Sequence, residues 1–426
     1  MKIFINKDSN YYRPVLYSLA LIENNQEIQF EYVDISTSAD IVIDHNHTES
    51  EVIATAFYDQ LGDRKPELQY HKVFSKPQLI CNQNGLVDLL ATIFYMVNCL
   101  QEYTATSNGL DQYGRITYAS SYQNQYQSVE KNLVQEYIEL WLAQHQISFQ
   151  SEKSKVFLSH DIDSLHTAVI PISVQVIRQI PPLDLLQILV QKLLGRPNIE
   201  SLNQVMKIND EHDIQSTFFW LMNKGIGQHS IPNADYRFDP KYLALTRNRN
   251  NANALHKSSH TTTLDQEFDA AKFDSPANRY HYLAHQPLRD WQVISDSQIE
   301  LDASLGYAEK MGFRNSYGQA FQPFNLNQNQ PYDFVEVPLH IMDTTFERYQ
   351  QMDPKTISDE IIDFIDRNKF NCTLSILWHN QHFNKYDIGP YLHIYKEILG
   401  YLFEEQIKHT TPQEIIQKRK LKWIRS

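Results

Sequence analysis

The sequence predicts an α/β protein in two parts, a smaller α/β segment over residues 1–150 and a longer α/β segment over residues 151–426. Three observations carry this. Short apolar runs with strand character recur along the chain, and stretches with helical period lie between them. In the longer part the two alternate, which points to a parallel sheet or an α/β barrel. Between the parts, Thr104–Gln127 is rich in Tyr, Gln, Ser and Asn with little periodicity, so it reads as loops or a domain join and sets the boundary near residue 150.

In the first segment Lys2–Ile5, Phe30–Ile35 and Ala39–Asp44 read as strands, with a helix over Pro14–Ile22. Leu86–Leu100 is the most apolar stretch. It contains Asp88 and Asn98 and falls short of a membrane span, so it reads as a core helix. Val129–His145 is amphipathic, with Leu133, Val134, Tyr137, Ile138, Leu140, Trp141 and Leu142 on a broad apolar face. The second segment opens on the strand Lys155–Ser159, which runs into His160-Asp161-Ile162-Asp163. Ser216–Leu221, Ala252–Leu255, Phe334–Val337 and Thr373–Leu377 are further strands. Leu185–Leu194, Ile199–His212 and Thr356–Asn368 are helices. The Asn- and Gln-rich patches Asn248–Asn253 and Asn325–Gln330 read as surface loops.

Composition narrows the function classes. The chain has 426 residues, 42% hydrophobic and 21% charged, with a formal charge of -13; its mean hydropathy is -0.48. That acidic balance, without a basic cluster interleaved with aromatics, argues against nucleic acid as a partner. Cys81, Cys99 and Cys372 are sparse, odd in number and far apart, which fits buried thiols in a reducing compartment. The N-terminus lacks a signal-peptide apolar core, and no transmembrane segment is expected, so a cytoplasmic protein is the expectation. Its oligomeric state is not legible.

Three constellations carry chemistry. In Asp161-x-Asp163 the strand period puts both carboxylates on one side, where they repel unless a cation or proton separates them. The ordinary alternative is a turn or helix cap. His256 and His260 stand four apart, a spacing that on a helical turn lets both grip one metal ion, although 17 histidines also produce chance pairs. Lys257 occupies the position where a zinc peptidase needs its Glu. Leu377-Trp378-His379 places an imidazole at the mouth of an apolar strand. Arg279 and Tyr282 can serve a site or the core equally well. The aromatics Tyr280, Tyr282, Trp291, Phe321, Phe324 and Trp378 suit either sugar stacking or core packing.

In their order DxD, HxxxH, RxxY, DxS and LxH, these elements resemble the polysaccharide deacetylase family, the chitooligosaccharide deacetylase homology domain. The likeness is to a branch with His-Asp-Val-Asp in place of Thr-Phe-Asp-Asp-Gly and an extra N-terminal domain. LLGRP, STFFWL, LDASLGYAEKMGFR, PLHIMDTTF and ILWHNQHF resemble the same branch. The likeness spans roughly residues 153–400 and is much looser over 1–150. It implies a distorted (β/α) barrel of about seven strands over residues 151–426. It also implies Asp161 as general base, Asp163, His256 and His260 as metal ligands, and Arg279 as support for the base. The Tyr282 backbone N–H would bind the oxyanion. Asp302 and Ser304 would line the site, with Leu377 and Trp378 at the substrate pocket and His379 as general acid. Departures are the NNANAL strand, Lys257 after the first histidine, and a third motif without its proline, with His281 in that region.

The expected function is therefore a divalent-metal hydrolase, Zn²⁺ first with Co²⁺, Ni²⁺ or Fe²⁺ also compatible, acting on N-acetyl groups of an amino-sugar glycan or glycoconjugate precursor. The competing expectations are a catalytically weak binding module on this fold and a metal amidase for a small non-sugar acylamide.

Overall fold

The computed structural model describes residues 1–62, 68–165, 181–194, 199–247, 250–383, 389–421 and 423. Strands β1 (Lys2–Ile5), β2 (Glu31–Val33) and β3 (Ile41–Ile43) form a small parallel sheet in the order β2-β1-β3. The helix Tyr12–Gln26 buries every residue from Pro14 to Ile22. The helix Leu89–Val97 buries all of its residues, and the Asp88 carboxylate caps it by accepting the Ala91 N–H at 2.8 Å. A helix apolar on every face has to be covered on every face. Here one hydrophobic cluster runs from Ile3, Leu16 and Phe94 through Phe324 to Leu374, so both segments contribute to it.

The longer segment builds an eight-stranded sheet from β4 (Lys155–Ile162), β5 (Thr217–Leu221), β6 (Ala252–Lys257), β7 (Ala277–Tyr280), β8 (Leu301–Asp302), β11 (Val335–Glu336), β12 (Ile341–Met342) and β13 (Thr373–Leu377). All its pairings are parallel, in the order β11-β8-β7-β6-β5-β4-β13-β12. A hairpin of β9 (Phe324–Asn325) and β10 (Gln330–Pro331) lies outside that sheet. Strands β5 and β13 are buried at every position, as central strands covered on both faces must be. Strands β11 and β12 are both edges, so the ring is open, with eight strands where about seven are expected.

Several expectations change. β4 and β6 run on past Ser159 and Leu255 to Ile162 and Lys257, carrying Asp161 and His256 within the sheet. β7, with the sequence ANRY, is too polar to read as a strand, and β8 and β12 are only two residues long. Asn251, Asn253 and Asn325 are buried rather than in surface loops. The Asn253 side chain accepts from Trp220 Nε1 and Thr246 Oγ1 at 2.9 and 2.6 Å, which satisfies an amide inside the core. Residues 248–249 and residues 195–197 of LLGRP lie outside the described residues. Cys99 and Cys372 are buried and Cys81 half-buried, all as free thiols. Among the described residues no helix is long and apolar enough to cross a membrane.

The first segment is tied to the sheet by polar contacts. Arg314 makes a bidentate, buried pair with Glu102 at 2.9 and 2.8 Å. Tyr17 donates to the Gln322 carbonyl at 2.7 Å. At Gly312 the chain has φ +128° and passes so close to Val129 that an added Cβ would lie 2.3 Å from its carbonyl oxygen, a fit only glycine allows.

Candidate active site

Ligand sites of parallel sheets lie at the carboxyl ends of the strands, where successive loops meet. In this sheet that end collects Asp161 and Asp163 from β4, His256 from β6, Arg279 and His281 from β7, and Leu377 and His379 from β13. Register does the placing: Leu221 pairs with His256, and His256 pairs with Arg279. A cleft opens there, and Asp161, Asp163, His256, His281, Tyr282, Leu377 and His379 are among its lining residues.

Asp161 is buried, and its Oδ1 accepts from Arg279 Nη1 at 2.8 Å. The guanidinium is itself buried over the Phe219 ring, 4.4 Å from the centroid, and Arg279 Nε donates to the Ala303 carbonyl at 2.9 Å. Asp161 Oδ2 faces His256 Nε2 at 3.5 Å. Asp163 Oδ1 lies 3.4 Å from His256 Nε2 and 3.7 Å from His281 Nε2. Burial pushes the Asp163 carboxyl up, but His281, His256 and His379 together hold it well below the ordinary carboxylate range. Burial also lowers His256, and Asp161 and Asp163 more than reverse it. Burial lowers His281 below 6.5, and there it prevails.

The structure seats His281, not His260, beside Asp163 and His256. Donor atoms of Asp163, His256 and His281 all lie within 4.8 Å of one another. His260 is exposed, and its Nδ1 contacts Thr262 Oγ1 at 3.2 Å. The reason is backbone geometry: four-residue spacing aligns side chains on a helix, but His256 ends a strand and Ser258–His260 is a turn leading away from it. Lys257 points to the other side, with its Nζ 2.7 Å from Glu267. The three-residue set fits a divalent transition metal. His256 Nδ1 lies 2.8 Å from the Arg279 carbonyl, a contact that needs Nδ1–H and leaves Nε2 as a ligand atom. Asp163 Oδ1 and His281 Nδ1 are buried without a hydrogen-bond partner among the described residues.

His379 stands opposite Asp161. Its Nδ1 and its backbone N–H each lie 2.6 Å from an Asp343 oxygen, and its Nε2 is 3.7 Å from Asp163 Oδ2. Burial lowers this imidazole, but Asp343, with Asp163 and Asp161 behind it, outweighs burial and pushes it up to about 9. Sequence reasoning missed both Asp343 and His281. The passage PLHIMDTTF contains Asp343, and its lone acid after a buried strand is the only local signal.

The remaining residues divide. Tyr282 and Leu283 both have left-handed backbone, φ 58° and 52°, which turns the chain at the rim of the cleft. The Tyr282 ring stacks on Tyr113 of the first segment, with centroids 4.9 Å apart, and Arg115 Nη1 donates to the Tyr282 carbonyl. Leu377, Leu283 and Met342 cluster as an apolar wall. Asp302, Ser304 and Trp378 do not line the cleft. Asp302 accepts from Asn278 Nδ2 at 2.7 Å, Ser304 Oγ accepts the Tyr280 N–H at 2.9 Å, and Trp378 packs inward against Tyr395. His160 is a buried packing residue, its Nδ1 2.9 Å from the Trp378 carbonyl. Trp291, Phe321 and Phe324 are core; the aromatic rings at the cleft are Tyr282 and Tyr349.

Comparison with known proteins adds three findings. Residues 12–150 match a family model described as a family of unknown function (DUF7033). No curated protein matches the chain. Among solved structures, a chitin deacetylase from the fungal pathogen Colletotrichum lindemuthianum aligns at 12% identity and TM-score 0.32, covering 62% of this chain and 88% of its own. The Bc1960 peptidoglycan N-acetylglucosamine deacetylase aligns at 14% and 0.32, covering 63% and 94%. An allantoinase aligns at 11% and 0.39, covering 62% and 90%. With every one of these TM-scores below 0.5, no residue role is taken from them.

Proposed function

We propose that the protein is a metal-dependent hydrolase that removes N-acetyl groups from an amino-sugar-containing glycan or glycoconjugate precursor. One observation carries the reading: Asp161 and His379 flank the Asp163–His256–His281 group in a single cleft, each held by its own buried counter-charge. A proton acceptor and a proton donor beside a metal set are what hydrolysis of an amide requires.

Asp163, His256 and His281 would hold the ion, and two imidazoles with one carboxylate favour Zn²⁺, with Co²⁺, Ni²⁺ or Fe²⁺ compatible. The bound ion supplies Lewis acidity toward an acyl oxygen and makes water easier to deprotonate. Arg279 occupies Asp161 Oδ1, so Oδ2 is the oxygen free to take a proton from the attacking water. Arg279, buried beside it, sets a positive charge against the Asp161 carboxyl. His379 donates Nδ1–H to Asp343 and carries a second proton on Nε2, which it gives to the leaving amine. The Tyr282 backbone N–H, at the left-handed turn, is the donor for the developing oxyanion. Leu377, Leu283 and Met342 give an acetyl methyl an apolar wall. Tyr282 and Tyr349 at the rim offer aromatic surface for a sugar ring.

The test is acetate release from N-acetylhexosamine oligomers, measured beside small acylamides on protein of known metal content. Release from the oligomers alone supports the reading. Release from acylamides alone makes the protein a small-molecule amidase. No release from metal-loaded protein leaves a binding module.

A further inference from the structure

A second group of the same residue types lies behind the cleft. Strands β8 and β11 pair in the register that sets Glu336 directly beside Asp302. His285 follows the turn after β7, and one donor atom from each of the three lies within 4.8 Å of the others. All three side chains are fully buried, and none lines the cleft.

The surroundings orient these groups without neutralising them. Asp302 accepts from Asn278 Nδ2 at 2.7 Å and from the Ser304 N–H at 3.0 Å. Glu336 accepts from Trp291 Nε1 at 3.0 Å and from the Leu305 N–H at 3.1 Å. The Ser304 hydroxyl is a further neutral donor to Asp302. The nearby guanidiniums are engaged elsewhere, Arg279 with Asp161 and Arg314 with Glu102. Two adjacent buried carboxylates must therefore share a proton or a cation. A shared proton would answer the carboxylates but not His285, whose two ring nitrogens are both buried without a partner among the described residues. Asn278 Oδ1, on the side chain that bonds Asp302, is a further buried orphan.

We infer that His285, Asp302 and Glu336 form a second, closed metal site that takes a transition dication, with Zn²⁺ as its first candidate. An imidazole beside two carboxylates suits such an ion better than Mg²⁺ or Ca²⁺, which want oxygen alone. The N–H donors to each carboxylate are the outer contacts that fix ligands for a metal. A dication there balances both carboxylates and satisfies the imidazole together. Its role is structural: it ties the two-residue strands β8 and β11, the latter an edge of the sheet, to the turn after β7. The inference stands apart from the deacetylase reading, because it shares no ligand with the cleft.

The experiment is a metal count by plasma mass spectrometry on the full chain expressed in zinc-supplemented medium, with His281→Ala and His285→Gln alongside. Two equivalents in the wild type, one in each variant, and a lower melting temperature for His285→Gln are expected. One equivalent in the wild type and none in His281→Ala overturns the inference and leaves a proton shared by the carboxylates. One equivalent in both of these but none in His285→Gln upholds the second site and removes the metal from the cleft instead. Should His285→Gln fail to fold, the wild type and His281→Ala decide the matter by themselves.

Discussion

The Asp163–His256–His281 group and the His285–Asp302–Glu336 group draw on the same residue types within one sheet, and they differ in what each histidine and carboxylate faces. The first lies at the carboxyl ends of β4, β6 and β7, opens on a cleft, and has Asp161 and His379 on either side of it. The second lies under an edge of the sheet, with every carboxylate oxygen already taking an N–H and none of its three residues lining the cleft. Residue type alone does not separate a reactive centre from a structural one. Access, and the presence of groups that can move protons, do.

The largest effect expected at the open group separates two histidines. His281→Ala should abolish acetate release and lower the metal content by one equivalent, while His260→Ala should leave both unchanged. Equal loss in the two variants would mean that the turn after β6 swings His260 inward. Next in size is Asp161→Asn, which removes the proton acceptor but no ligand. Its expected cost is about 10²–10⁴-fold in kcat with metal content intact. Undiminished kcat would reassign the base.

These two variants also mark how far the sequence could be read. Alternating strands and helices, and the strand that delivers Asp161, follow from apolar runs that only a buried parallel sheet accommodates. The proposed third ligand does not follow. His281 comes after ANRY, a strand whose side chains are mostly polar because they bond across the sheet, Asn278 to Asp302 and Arg279 to Asp161. His260 offered a tidy spacing, but spacing has meaning only once the backbone is known, and here it is a strand end and a turn. Asp343 was hidden for another reason: its role exists only through contact with His379, 36 residues later.

Asp343→Asn probes that contact through pH. His379 is raised to about 9, so it is protonated and able to donate below that pH and loses this ability above it. Without the Asp343 charge the imidazole loses the largest of the contributions that raise it, and the alkaline limb of the kcat profile should move down with it. The loss should therefore be larger at pH 8 than near pH 6. A uniform loss at every pH would make Asp343 a packing residue only.

The smallest effect concerns the first segment, which approaches the open group through Arg115 and Tyr113. Tyr113 stacks on Tyr282 with an interplanar angle of 17°, and Arg115 lies over Tyr113, 4.8 Å from its centroid, while donating to the Tyr282 carbonyl. Together they press on a residue whose left-handed backbone is costly to hold. An aromatic pair of this kind contributes about 0.5–1.5 kcal/mol. Tyr113→Ala should therefore lower kcat/KM by about two- to tenfold, and Tyr113→Phe, which keeps the ring, should not. If the loss lies in kcat, the stack positions the Tyr282 N–H. If it lies in KM alone, the ring is a substrate contact, and residues 1–150 shape the groove instead of the chemistry. Neither variant reaches Asp302 or Glu336, so the metal count of the closed group stays the same in both and serves as the internal reference.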